Sequence, residues 1–350
     1  MRVLGWPAYE NRRINPHQWL LNTALTGLSV QVDEFSVRRL ASGSYDLWHI
    51  HWPERFLIAK SVFPAARGSL GLVALVGLAR ARGVVTVWTI HNLAAHERRH
   101  ETIERYFWPA FIRRLDAFIS LTPQGHAAAL ARFPGLRMKR SFVIPRGHYR
   151  GTYPDTIDRV EARRQLGFSS HEKVALSIGQ IRPYKNAPRL IREFGRLTDA
   201  NAHLVVAGKP LTAQDGALVR EAAAGDRRVR LVLEFISDDV IQVFLRAADL
   251  VVLPYVEILN SGAALLALSF DRPVLAPAMG SVVFLRERVG EAWVRGYDGD
   301  LDSAELGAAL QWAVDATRPA FAPLDSLSWE DAARTTEAAF RSLLATRPGG

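Results

Sequence analysis

The stretch Lys173-Val-Ala-Leu-Ser-Ile-Gly-Gln-Ile-Arg-Pro-Tyr-Lys-Asn186 decides the fold. Its first six residues form a short, largely apolar run of strand length, and Gly179 then breaks the run before two cations. The same pattern recurs outward from it, at Ala202–Ala207, Val229–Leu233, Leu250–Leu253 and Arg272–Ala276. In the first half it appears at Asp46–His51, Gly83–Ile90, Ala117–Thr122 and Ser141–Pro145, with helical spacing over Pro16–Leu28 and Arg105–Leu115. Short buried strands separated by longer helical stretches predict α/β architecture with parallel sheets. Two such sets predict two doubly wound, Rossmann-like domains facing a central cleft. Their expected extents are 1–150 and 151–350, joined through the loop-rich 145–158, with the last helix free to pack back on the first domain. In such sheets ligands sit beyond the carboxyl ends of the strands, so the residues after each strand are the candidates for chemistry.

Composition removes several classes. With no cysteine in 350 residues, thiol nucleophiles, zinc–thiolate sites and disulfide scaffolds are excluded. There is no G-x-G-x-x-G, no Walker-A segment and no G-x-S-x-G. The net charge of +9 is uneven: residues 1–150 hold 21 Lys and Arg against 9 Asp and Glu, and residues 151–350 hold 23 against 26. A basic half suits nucleic acid, an anionic membrane leaflet or a phosphorylated substrate. No nucleic-acid-binding module or aromatic–basic stacking pattern accompanies it, which argues against nucleic acid as a partner. The apolar run Ser69–Ala79 is too short to span a bilayer and reads as a buried helix, with an interfacial membrane-docking face as the alternative. No signal-peptide run opens the chain, so a cytoplasmic location is expected.

Three groups of residues carry chemistry. Gly179 permits close backbone approach, while Arg182 and Lys185 place two cations suited to a diphosphate. Asn260-Ser-Gly262 opens an Ala/Leu-rich helix, with Asn260 or Ser261 as its cap and the first-turn amides as an anion site. Glu257, just before it, is placed to accept from a sugar hydroxyl. In the first half, His49 and His51 share one strand face, and His91 follows an apolar strand. Asp298-Gly-Asp300 reads as a turn rather than a metal site. Asp238-Asp239 reads as a helix start capped by Ser237 or Asp238.

The blocks Tyr45–Glu54, Thr89–Glu97, Gly147–Arg150, Ile181–Lys185, Val251–Tyr255, Asn260–Gly262, Leu266–Ser269 and Arg272–Pro277 occur in one order. Through them the chain resembles GT-B glycosyltransferases, and within these the xanthan-type GDP-mannose:glycolipid β-mannosyltransferases of exopolysaccharide assembly. The resemblance implies an N-terminal acceptor domain and a C-terminal domain for a nucleotide-sugar donor. Gly179, Arg182, Lys185, Glu257, Asn260, Ser261 and Gly262 would hold that donor, and His51, Asn92 and His148 would contact the acceptor. The general base would be Glu54, Glu97 or His91. No metal or other cofactor is implied, because cations and a helix N-terminus would neutralise the departing nucleoside diphosphate. The implied partners are a lipid-linked oligosaccharide acceptor and an anionic membrane surface at the inner face of the cell membrane. One departure matters: Leu266 stands where many retaining relatives place a ribose-binding glutamate, so ribose contacts must come from elsewhere and retention is not implied; the closer resemblance, to the β-mannosyltransferases, implies inversion. Alternatives are a UDP-sugar-dependent transferase of the same fold, a sugar-nucleotide epimerase and a non-catalytic binding subunit.

Overall fold

A computed structural model describes residues 1–13, 15–94 and 100–346. The chain divides into two compact units. One comprises Met1–Gly147 together with the chain from Leu327 onward, and the other is His148–Ser326.

The first unit holds β1 (Arg2–Trp6), α1 (His17–Gly27), β2 (Gln31–Glu34), α2 (Val37–Ser42), β3 (Leu47–His51) and α3 (Val62–Ala81). It continues through β4 (Val85–Ile90), α4 (Glu101–Arg114), β5 (Ala117–Ser120), α5 (Pro123–Arg132) and β6 (Arg140–Val143). All neighbouring strands are parallel, in the order β2-β1-β3-β4-β5-β6. The order reverses between β1 and β3, and there the connections leave for opposite sides and open a crevice. β3 is buried over all five residues. Its period of two puts Leu47, His49 and His51 on one face and Trp48 and Ile50 on the other. Trp48 stacks on Phe35 with ring centroids 4.5 Å apart.

The second unit holds α6 (Arg159–Leu166), β7 (Lys173–Ile178), α7 (Ala187–Gly195), β8 (Ala202–Ala207), α8 (Ala213–Ala223), β9 (Val229–Val232) and α9 (Ile241–Ala247). β10 (Leu250–Val252), α10 (Gly262–Ser269), β11 (Val274–Pro277), α11 (Ser281–Val289), β12 (Val294–Tyr297) and α12 (Ser303–Asp315) complete it. Its sheet is again parallel, ordered β12-β11-β10-β7-β8-β9, with the reversal between β7 and β10. A last helix, α13 (Trp329–Ala345), packs on α1 of the first unit. It buries Phe340 against the His49 ring, 5.3 Å between centroids.

The unit boundary precedes residue 151 because His148–Arg150 are tied to their own unit. The Tyr149 amide donates to Ser269 Oγ at 2.9 Å, and Arg150 Nη2 donates to the Asp271 carboxylate and, at 2.9 Å, to the Ala322 carbonyl. Gly147 has a different reason to be glycine: a Cβ there would lie 2.4 Å from the Trp329 ring.

Two local expectations are corrected. α9 begins at Ile241 after Val240, with no side-chain cap, so neither Ser237 nor Asp238 caps it. The apolar run lies in α3, which is 20 residues long, and only 28% of its most apolar eighteen residues is buried. By length and composition alone that helix could cross a membrane, but it packs against α4 and leaves Phe63 and Leu70 on its outer side. A buried helix is therefore the wrong description.

Candidate active site

Candidate residues lie at the topological reversal of each sheet. In the second unit, Gly179 follows β7 at φ +113°, and a Cβ there would meet Lys185 Nζ at 3.1 Å. Glycine therefore lets the ammonium lie against the strand end. Gly208, after β8, approaches even more closely: a Cβ on it would sit 2.1 Å from the Gly179 carbonyl oxygen. Arg182 is oriented by its Nε donating to Gln180 Oε1 at 2.9 Å. Lys185 Nζ lies 5.4 Å from the centre of the Tyr255 ring. Burial and the nearby Arg182 charge lower the Lys185 pKa to about 8. Neither cation has a carboxylate partner among the described residues, so the pair lacks the counter-charge that an anionic ligand would bring.

The loop after β10 is fastened to this turn, since the Val256 amide donates to the Tyr184 carbonyl at 2.9 Å. Glu257 is exposed on that loop. Ser261 caps α10, its Oγ accepting from the Ala264 amide at 3.1 Å. The Ser261 amide itself donates to Ser281 Oγ at 2.9 Å and is already committed. The amides left open at this helix start are those of Gly262 and Ala263, where no helical carbonyl is available. Asn260 precedes this cap.

In the first unit, four imidazoles gather at the β1/β3 reversal: His17, His49, His51 and His91. His51 Nδ1 is 2.9 Å from His91 Nε2, and the Gln18 amide nitrogen is 3.4 Å from the same His91 atom. His49 Nε2 is bonded to Thr89 Oγ1 at 2.7 Å. Arg146 Nε donates to His17 Nδ1 at 3.4 Å, while His17 Nε2 is buried without a partner. Trp52, in left-handed backbone conformation at φ 46°, stacks its ring on His91 at 4.5 Å. Burial holds all four imidazoles below their usual range, His49 down to about 3, with Arg146 adding to the effect at His17 and His91. They are neutral at physiological pH. Glu54 behaves oppositely: burial raises its carboxyl to about 7, against a hydrogen bond from Asn92 Nδ2 at 2.8 Å.

The structure therefore brings His51, His91, Glu54 and Asn92 into one unit. His148 belongs to the other unit, with its Nδ1 accepting from the Arg150 amide at 3.2 Å. Glu97 lies outside the described residues. Three neighbours of the histidine group were not legible as candidates, namely His17, Gln18 and Arg146. The only local signal was a polar pair, His17-Gln18, directly after Pro16 at a helix start. Gly208 was missed on the donor side for a similar reason, since its importance lies in what it packs against.

Two doubly wound parallel sheets of this order are the architecture of the GT-B fold. Residues 172–313 match the family described as glycosyl transferases group 1. The chain belongs to the GDP-mannose:glycolipid 4-beta-D-mannosyltransferase family. It is 33% identical over 338 residues to the enzyme of that name from Xanthomonas campestris pv. campestris, covering 95% of this chain and 89% of the relative. Among solved structures, the sucrose-phosphate synthase of Thermosynechococcus elongatus superimposes with a TM-score of 0.71 at 18% identity, covering 99% and 100% of the two chains. Anabaena HepE in complex with UDP-glucose gives 0.63 at 16%, covering 99% of this chain and 98% of that one. These two likenesses establish the fold.

Proposed function

We propose that this glycosyltransferase moves a mannosyl group from GDP-mannose, with inversion, to a polyprenyl-diphosphate-linked oligosaccharide in exopolysaccharide assembly. It would act in the cytoplasm, at the inner face of the cell membrane. The observation that carries the reading is Glu54: a buried carboxylate titrating near 7 beside Asn92, in the unit we take to bind the acceptor. A base is most effective when its pKa lies near the working pH. His91, held low, is the poorer base and the better hydrogen-bonding partner.

Glu54 takes the proton of the acceptor hydroxyl, whose oxygen attacks the anomeric carbon of the donor. The bond from that carbon to the β-phosphate oxygen breaks, and GDP leaves with the electron pair. Arg182, Lys185 and the amides at Gly262 and Ala263 receive the developing charge. Gly179 admits Lys185 to this position, and Glu257 and Asn260 accept hydrogen bonds from the sugar. His51 and Asn92 act on the acceptor side, Asn92 by holding Glu54, and His148 is proposed as a further acceptor contact. No metal is needed for this charge balance.

The test is a panel of GDP- and UDP-sugars scored by ligand-induced thermal shift, followed by transfer of the best binder's labelled sugar to isolated lipid-linked acceptor. GDP-mannose should give the largest shift. Preference for a UDP-sugar would overturn the donor assignment, and donor binding without transfer would overturn the acceptor.

A further inference from the structure

Within the second unit, residues 149–155 lie against the C-terminal end of α10 and leave a pocket of about 240 Å³. None of its lining residues is among those assigned above to donor, acceptor or base. Its charged side chains are Arg150, Arg246, Asp155 and Asp271, two of each sign. Arg150 pairs with Asp271, and Arg246 grips Asp155 through two nitrogens, with Nε 2.6 Å from Oδ1. An ion entering the pocket meets a cation and an anion together, so attraction to one is offset by repulsion from the other. A neutral ligand carries no such penalty.

The polar atoms of the pocket are not all satisfied within the fold. The Asp271 side chain is only 7% exposed. Its Oδ1 accepts from Arg150 Nη2 and, at 2.9 Å, from the Ala322 amide. Its Oδ2 takes no hydrogen bond among the described residues, although it is not sealed from solvent. Nε and Nη1 of Arg150 likewise donate to nothing among the described residues. A donor edge and an acceptor oxygen thus stand side by side. Two adjacent hydroxyls match that pattern, since each hydroxyl both donates and accepts. Phe321 adds an apolar face: it lines the pocket and is 69% exposed, with the Arg150 guanidinium 5.8 Å from its ring centre. Aliphatic C–H bonds carry partial positive charge and are drawn to the negative face of such a ring. Volume limits the guest, since the pocket falls below the roughly 300–1,000 Å³ of sites for drug-sized ligands.

We infer that this pocket binds one neutral pyranose ring, with adjacent hydroxyls between Arg150 and Asp271 and a C–H face on Phe321. A small neutral aromatic compound would fill the volume but leave Asp271 Oδ2 and the Arg150 edge unmatched. The site holds the sugar without reacting on it, and so goes beyond the transfer reaction proposed above. The ring is either a free monosaccharide or one unit of an oligosaccharide, which share this chemistry.

Saturation-transfer NMR of the full chain with methyl α-D-mannopyranoside and methyl β-D-glucopyranoside tests it, with GDP added to occupy the donor loops. At least one glycoside should bind saturably, with Kd on the order of 1 mM, as expected for so small a ligand. Phe321→Ala should weaken that binding roughly tenfold, and Phe321→Trp should preserve it. The Phe321 side chain is exposed, so neither change threatens the fold, and GDP should protect native and variant chains equally against heat. Glucuronate and glucosamine should bind no more tightly than the neutral glycosides. Tighter binding of mannotriose than of the methyl mannoside identifies the ring as a unit of a chain, and equal affinity identifies a free monosaccharide. No saturable binding of either glycoside, binding undiminished by Phe321→Ala, or a preference for the charged sugars would overturn the proposal.

Discussion

Nδ1 of His51 lies 2.9 Å from Nε2 of His91, forty residues along the chain, because β3 and β4 are parallel neighbours that end together. Two ring nitrogens at this distance need one proton between them. The Gln18 amide nitrogen, which can only donate, is also directed at His91 Nε2, so that atom accepts and His51 Nδ1 carries the proton. Protonating His91 at Nε2 would set donor against donor. This adds a reason, beside burial, for the imidazoles to remain neutral.

Stability should therefore fall on acidification. His17, His49, His51 and His91 have folded pKa values below the usual 6.5, so below that pH the unfolded chain binds more protons. Their contribution is complete above about 6.5 and is lost as pH falls, for His49 down to about 3. Glu54 runs the other way: its folded pKa of about 7 exceeds the ordinary carboxyl value, so its contribution is present at low pH and lost between about 4.5 and 7. Four groups outweigh one. Urea midpoints should drop from pH 7 to pH 5, at roughly 1 kcal/mol per pH unit for each fully differential group. His49→Gln should flatten that slope, and a flat profile in the native chain would contradict the burial of the cluster.

Glu54→Gln should lower kcat by roughly 10²–10⁴-fold while leaving donor affinity nearly unchanged, because the amide keeps the shape and removes the base. In the native enzyme, kcat/KM should rise with pH to a plateau above about 7, where Glu54 is ionised. An acid limb centred below 5 would place the base elsewhere.

Arg182→Ala and Lys185→Ala should each weaken nucleoside-diphosphate binding at least tenfold, about 1.4 kcal/mol or more, read by calorimetry. Chelation with EDTA should leave turnover unchanged, since the proposed charge balance uses side chains and amides. A strict need for a divalent cation would return attention to Asp298 and Asp300.

Gly208→Ala should disable donor binding and destabilise the second unit. Its Cβ would collide with the Gly179 carbonyl at 2.1 Å, and the backbone there is at φ +151°. A drop of several degrees in the thermal midpoint, with lost GDP protection, is the expected result. Native-like behaviour would mean that these two strand ends are not packed as described.

The strand-ending loops were legible locally. Lys173–Ile178 and Ala202–Ala207 are apolar runs of strand length closed by glycine, and both were bounded correctly from the sequence. β1, β2 and β12 were not, because Gly5, the polar Gln31–Glu34 and Gly296 dilute their apolar signal. α3 was read as an eleven-residue core because charge and Pro64 interrupt the apolar pattern, and only its packing reveals which side remains outside. Along one chain, periodicity and turn chemistry depend on neighbours a few residues away, so the sequence alone determined the α/β class and the placing of Arg182 and Lys185 in the turn after a strand. The gathering of His17, His51, His91 and Arg146 depends on strand order, which joins residues far apart in the chain. So does the burial that raises Glu54 and lowers the histidines. Those were decided by the tertiary structure, because desolvation and proximity are properties of packing.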